Sequence, residues 1–109
     1  MQARATRIPM SPDTAATADT TPYEAMVTAM RQVDGFLGAL LLVDRATGNN
    51  LGITFWESDD ALRASEEVAN SYRRDGALAL GATGAPTVER FEVAYYAPPQ
   101  MQPRATGEA

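Results

Sequence analysis

Eight consecutive residues, Phe36 to Val43, carry no polar side chain. A run this short cannot cross a membrane, and between turn formers it reads as a strand buried on both faces. Asp34-Gly35 precedes it. Asp44-Arg45-Ala46-Thr47-Gly48-Asn49-Asn50 follows, a hairpin loop rich in residues that tolerate positive φ. The partner strand is Leu51–Glu57, with Leu51, Ile53 and Phe55 on one face and Thr54 and Trp56 on the other.

A helical pattern flanks this hairpin on each side. In the first, Thr21 is the predicted N-cap, Pro22 suits the first turn, and Glu24 completes a capping box. Tyr23, Met26, Val27, Met30 and Val33 then fall on one stripe, and Gly35 supplies the stop. In the second, Ser58 caps, and Asp59 and Asp60 sit where the helix dipole favours negative charge. Ala61, Leu62, Ser65, Val68, Ala69 and Tyr72 face inward, while Asp59, Arg63 and Glu67 form a solvated ladder. Gly76 is the expected end.

Outer strands are expected over 3–10 and 87–96. The first sets Thr6, Ile8 and Met10 against Ala5 and Arg7. The last sets Phe91, Val93 and Tyr95 against Arg90, Glu92, Ala94 and Tyr96. Residues 11–20 read as a loop, and 76–86 as a Gly/Ala-rich connector whose glycines are not spaced to hold a phosphate. Pro98, Pro99 and Pro103 mark 98–109 as a tail or arm after a single domain over 1–97.

The order β-α-β-β-α-β is the split βαβ unit, and the simplest α+β fold that satisfies it is ferredoxin-like. Two helices then cover one face of an antiparallel sheet and leave the other bare. The bare face is apolar, so a homodimer that pairs two sheets is expected.

Composition removes several function classes. The net charge is -5, every basic residue is Arg, and none of them cluster, so neither nucleic acid nor an anionic membrane is an expected partner. The chain has no Cys and no His. That removes thiolate nucleophiles, the Ser-His triad and the commonest zinc and haem ligands. The N-terminal residues lack the apolar core of a secretory signal, which makes the cytoplasm the expected location.

The stretch Gly35-Phe36-Leu37-Gly38, Leu42-Val43-Asp44, Thr47-Gly48, Thr54-Phe55-Trp56-Glu57-Ser58 and Ala61-Leu62-Arg63-Ala64-Ser65 resembles the antibiotic-biosynthesis-monooxygenase-like family. The hallmark is a strand ending in Trp-Glu-Ser and running into an acidic, Ala-rich helix. The resemblance implies paired sheets in a dimeric α/β barrel. It also implies a monooxygenase that needs no cofactor and acts on an aromatic or polyketide-like molecule held between sheet and helices. Trp56 matches a recurring pocket residue. Where other members place an Asn on the third strand, Gly52 and Thr54 stand here, and haem-degrading members use a helix histidine that this chain lacks.

The candidate catalytic residues are Trp56, Arg90 and Tyr72, with Arg90 or a tyrosine as donor to an anionic substrate. Tyr23, Met26, Met30, Phe55 and Tyr95 are the candidate substrate-binding residues. Each has a plainer reading: aromatics dominate buried area, methionines on a helix stripe are usually core, and Arg90 can pair with Glu92 or Glu57. The alternative function is a non-catalytic small-molecule-binding or dimerisation module of the same fold. No metal, haem or other cofactor is expected.

Overall fold

The computed structural model describes residues 1–100. Its elements are β1 (Gln2–Arg7), α1 (Pro12–Thr17), α2 (Thr21–Met30), β2 (Phe36–Val43), β3 (Asn50–Trp56), α3 (Asp59–Ala64), α4 (Glu66–Ala79) and β4 (Thr87–Glu92). The strands form one antiparallel sheet in the order β2-β3-β1-β4. This is the ferredoxin-like arrangement, with α2 and α4 packed side by side. Most of the arm expected over 98–109 lies outside the described residues.

Register decides which residues meet. On β1, Arg4 stands opposite Thr54 of β3 and Arg90 of β4, and Thr6 opposite Gly52 and Val88. Directly opposed residues share a face, so Arg4, Thr54 and Trp56 lie under the helices. Ala3, Phe55 and Phe91 form a matching row on the other face. The core is on the helix side: Met30, Trp56, Leu62 and Ala69 are buried, with Met26, Val33, Phe36 and Ala61 packed round them. Gly35 makes the sharp entry to β2 at φ 89°, where a Cβ would come 2.5 Å from Ala61 Cβ.

Several expectations need correction. Phe36–Val43 is not buried on both faces in this chain: β2 is the sheet edge, and Leu37 and Leu42 are each 54% exposed. The expected loop over 11–20 contains α1, because Ser11 Oγ accepts from Thr14 N at 3.2 Å and Pro12 and Asp13 suit a first turn. The cap of α2 is Thr20, one residue early. Its hydroxyl donates to the Glu24 carboxylate, and Asp19 Oδ1 accepts from Thr21 N at 2.9 Å.

The second helix is broken at Ser65, where Ser65 N bonds to the Leu62 carbonyl at 3.2 Å. The Arg4 guanidinium fills that break. Arg4 Nη1 donates to Ser65 Oγ at 2.8 Å and to the Leu62 carbonyl at 3.5 Å. Gly76 does not end α4, which continues to Ala79 and turns at Gly81, φ 64°. Of the inward stripe, Val68 is exposed. The Asp59–Arg63 pair of the outer ladder forms at 2.7 Å. No helix among the described residues is long and apolar enough to cross a membrane.

Candidate functional site

Along β1, alternation carries Arg4, Thr6, Ile8 and Met10 successively under the helices. These residues floor a cavity of about 120 Å³, partly open to solvent, that runs lengthwise between sheet and helices. Asn50, Gly52 and Thr54 of β3 and Leu41 and Val43 of β2 continue the floor. From Asn50 to Thr54 the strand covers roughly 13 Å at ~3.3 Å per residue. Tyr23 and Met26 of α2 and Ala69, Tyr72 and Arg73 of α4 form the roof. The wall is mostly apolar with a few polar groups, the usual composition of a ligand site.

The inner end is cationic. Arg4 is only 2% exposed, and its guanidinium lies 5.4 Å over the Trp56 ring. One carboxylate, Glu66, serves three guanidiniums: Arg90 tightly through Nε at 2.7 Å and Nη2 at 2.5 Å, Arg4 at 3.7 Å and Arg73 at 3.9 Å. Burial pulls the Arg4 pKa down to about 10, with Glu66 raising it and Arg73 and Arg90 lowering it further. Arg73 is lowered for the same reasons, burial first.

The two tyrosines differ. The Tyr23 hydroxyl is tied to backbone carbonyls, Leu40 at 2.8 Å and Ile53 at 3.2 Å. Its ring lies against Gly52, where a Cβ would stand 3.0 Å from Tyr23 Cε1. Burial raises its pKa to about 12, against the bond to Ile53 and the Arg4 charge, which lower it. The Tyr72 hydroxyl, by contrast, has no hydrogen-bond partner among the described residues, although Tyr72 lines the cavity.

Other polar groups of the wall are structural. Asn50 clips β3 to the chain after β1, with Nδ2 donating to the carbonyls of Ile8 at 2.6 Å and Gly48 at 3.1 Å. Its Oδ1 accepts from Ile8 N at 3.2 Å. Arg45 Nη1 donates to the carbonyls of Ala15 and Ala18 at 2.8 and 2.9 Å, fixing the end of α1 beside the mouth.

The cavity brings together three of the residues singled out in the sequence: Tyr72, Tyr23 and Met26. Trp56 is fully buried in the helix-side core beyond Arg4, edge-on to Phe36 at 5.2 Å, and its Nε1 donates to Thr54 Oγ1 at 2.9 Å. It touches the cavity only through Arg4 and Thr54. Met30 lies in the core. Arg90 is half-exposed, and its acidic partner is Glu66, which neither Glu92 nor Glu57 anticipated. Phe55 is on the opposite face of the sheet, in contact with Tyr96 at 5.7 Å between ring centroids. Tyr95 is 85% exposed, because β4 ends at Glu92 and the alternation does not reach it.

Arg4 and Arg73 line the site without having been singled out, and Gly52 and Thr54 line it where the resemblance gives other members an Asn. Arg4 has the same parity as Thr6 and Ile8, and that was its one signal. No group of three His, Cys, Asp or Glu side chains converges among the described residues.

No family model matches the chain. The uncharacterized protein Rv2557 of Mycobacterium tuberculosis is 35% identical over 71 residues, 65% of this chain and 31% of that protein. Its fellow Rv2558 is 34% identical over the same length. The chain thus spans about a third of the curated relatives it matches. Among solved structures, the monooxygenase of ActVA-Orf6 from Streptomyces coelicolor, bound to nanaomycin D, superposes with TM-score 0.66. It is 20% identical, over 91% of each chain. SnoaB, a cofactor-independent oxygenase from Streptomyces nogalater, gives TM-score 0.54 at 16% identity, over 90% of this chain and 95% of that one. The haem-degrader MhuD of Mycobacterium tuberculosis, with two haems bound, gives 0.61 at 23%, over 90% and 100%. The chain has the fold of the antibiotic-biosynthesis-monooxygenase-like proteins.

Proposed function

We propose that this chain, built on a fold shared by monooxygenases and a haem-degrader, is a monooxygenase that needs no cofactor and acts on an aromatic or polyketide-like molecule. The observation that carries the reading is that Tyr72, whose hydroxyl has no hydrogen-bond partner among the described residues, lines a partly open, mostly apolar cavity with a cationic inner end. Fold alone does not choose an activity. The haem-degrading alternative lacks the histidine that the fold's haem chemistry calls for.

The chemistry begins with a ring methylene conjugated through the flanking aromatic rings to a carbonyl across the ring. It loses a proton to solvent and becomes an enolate, which passes one electron to dioxygen. The carbon radical and superoxide combine into a peroxide anion, which takes up a proton. Loss of water then leaves a ketone: the carbon has lost two hydrogens and gained one oxygen, and the second oxygen leaves as water. Tyr72 donates to the enolate oxygen, and the guanidiniums of Arg4 and Arg73 lower the energy of the negative charge. Trp56 and Arg90 act as positioning residues, Trp56 beneath Arg4 and Arg90 through Glu66. Met26 and Tyr23 hold the ring system.

The working unit is a homodimer in the cytoplasm. Leu42, Phe91 and Tyr96 are each about half exposed on or beside the helix-free sheet face, together with Phe55 and Ile53. A second sheet laid against them buries this patch.

One observation favours the second reading, a binding module: the Tyr23 hydroxyl is committed to the backbone carbonyls of Leu40 and Ile53. Oxygen uptake by chelator-treated protein with anthrone as substrate separates the two. Turnover at one oxygen per anthrone supports the enzyme. Turnover lost on chelation and restored by a metal overturns the cofactor-free mechanism, and no turnover under any condition leaves the binding module.

A further inference from the structure

The protein is acidic overall, yet its cavity reverses that sign. Three of the nine arginines line it, Arg4, Arg45 and Arg73, against one of the fourteen acidic residues, Asp19. At the inner end, Glu66 is the one carboxylate among three guanidiniums. Its Oε2 is held by Arg90, and only Oε1, at 3.7 and 3.9 Å, faces Arg4 and Arg73. Both distances exceed a hydrogen bond. The cluster therefore carries a surplus of two positive charges beside an apolar cavity.

Arg4 makes this surplus unusual. It is nine-tenths buried and more, and all of its hydrogen bonds leave from Nη1. Among the described residues none leaves from Nε or Nη2. A buried donor without an acceptor costs free energy, more so on a charged group. Burial alone already lowers its pKa, and the two neighbouring arginines lower it further. A planar carboxylate, with two oxygens spaced for guanidinium nitrogens, supplies the missing acceptors and the missing charge together.

We propose that the natural ligand of this cavity is an aromatic acid, with its carboxylate seated between Arg4 and Arg73 and its rings lying along the floor under Tyr23, Met26 and Tyr72. This deepens the monooxygenase reading and rests on it for the site, not for the chemistry. One surplus charge answers the enolate that forms during turnover, and the second answers the permanent acid.

Titration calorimetry with naphthoate and naphthamide, the same rings with and without the charge, tests it on the full-length protein. Naphthoate binds roughly tenfold or more tightly than naphthamide, as one charge-assisted pair requires, and the preference shrinks as salt rises. Arg73→Gln removes most of the preference, weakening naphthoate several-fold more than naphthamide. Arg4→Met does the same, and Arg73→Gln stands as the readout if that buried substitution fails to fold. Equal binding of the two compounds, binding of neither, or a preference untouched in Arg73→Gln overturns the inference. Preference for naphthoate without turnover of any anthrone leaves the inference standing and removes the oxygenase. Turnover of a neutral anthrone without any preference does the reverse.

Discussion

Arg4 and Trp56, on neighbouring strands of the sheet, form one unit: the guanidinium lies 5.4 Å above the indole ring, inside the break between α3 and α4. The indole Nε1 donates in turn to Thr54, which lines the cavity. The residue that most marks the sequence thus supports the site from the core, through Arg4 and Thr54.

Trp56→Ala removes the largest fully buried side chain and leaves a void under Arg4. Urea denaturation should show a loss of about 3–5 kcal/mol. Trp56→Phe keeps the contact with Phe36 and loses the bond to Thr54, so its loss should be about 1–2 kcal/mol. Equal losses in the two variants contradict this arrangement.

Glu66→Gln leaves three guanidiniums facing one another without a carboxylate. Stability should fall by about 2 kcal/mol, less than a fully buried pair because Glu66 keeps some contact with water, and added salt should restore part of it. Arg4→Met, which replaces a buried cation with an apolar chain of similar length, should leave stability unchanged or raised. Chemical denaturation at two salt concentrations compares them.

Tyr23 ties the pH dependence to the cavity roof. Its folded pKa is raised to about 12 from an ordinary value of 10. The unfolded chain therefore releases this proton first, so the contribution of Tyr23 is complete below pH 10 and is lost as pH rises through about 12. The stability difference between the wild type and Tyr23→Phe should shrink across that window. Tyrosinate absorbance should show one tyrosine in the wild type titrating late, and its absence from the late phase contradicts the bonds to Leu40 and Ile53.

Leu42→Asp places a charge on the helix-free sheet face, on the edge strand β2 and on a side chain 54% exposed in the single chain. The fold should survive and light scattering should report a monomer where the wild type reports a dimer. A wild type that is monomeric at micromolar concentration contradicts the pairing of sheets.

The element order and the β2 boundaries were legible because apolar runs and caps are local signals. Ser11-Pro12-Asp13 also carried a cap signature, hidden by the absence of any apolar stripe in the six residues of α1. The break at Ser65 was not legible, since it depends on Arg4, sixty-one residues away in sequence. The candidate site was half legible for the same reason. Tyr72, Tyr23 and Met26 could be read from helix periodicity, whereas Arg4 and Arg73 gain meaning only when the sheet sets both beside Glu66. Tyr95 was misplaced because alternation was extended past the true end of β4.

Anthrone oxidation by Tyr72→Phe and Tyr95→Phe, measured as oxygen uptake on chelator-treated protein, tests the central claim most directly. Tyr72 lines the cavity with no partner for its hydroxyl among the described residues, Tyr95 is exposed, and both substitutions remove the same atom. Tyr72→Phe should lower kcat about a hundredfold, the usual loss for one oxyanion donor, and Tyr95→Phe should match the wild type. Unchanged kcat in Tyr72→Phe, or equal losses in both, contradicts a reaction carried out in the cavity between sheet and helices.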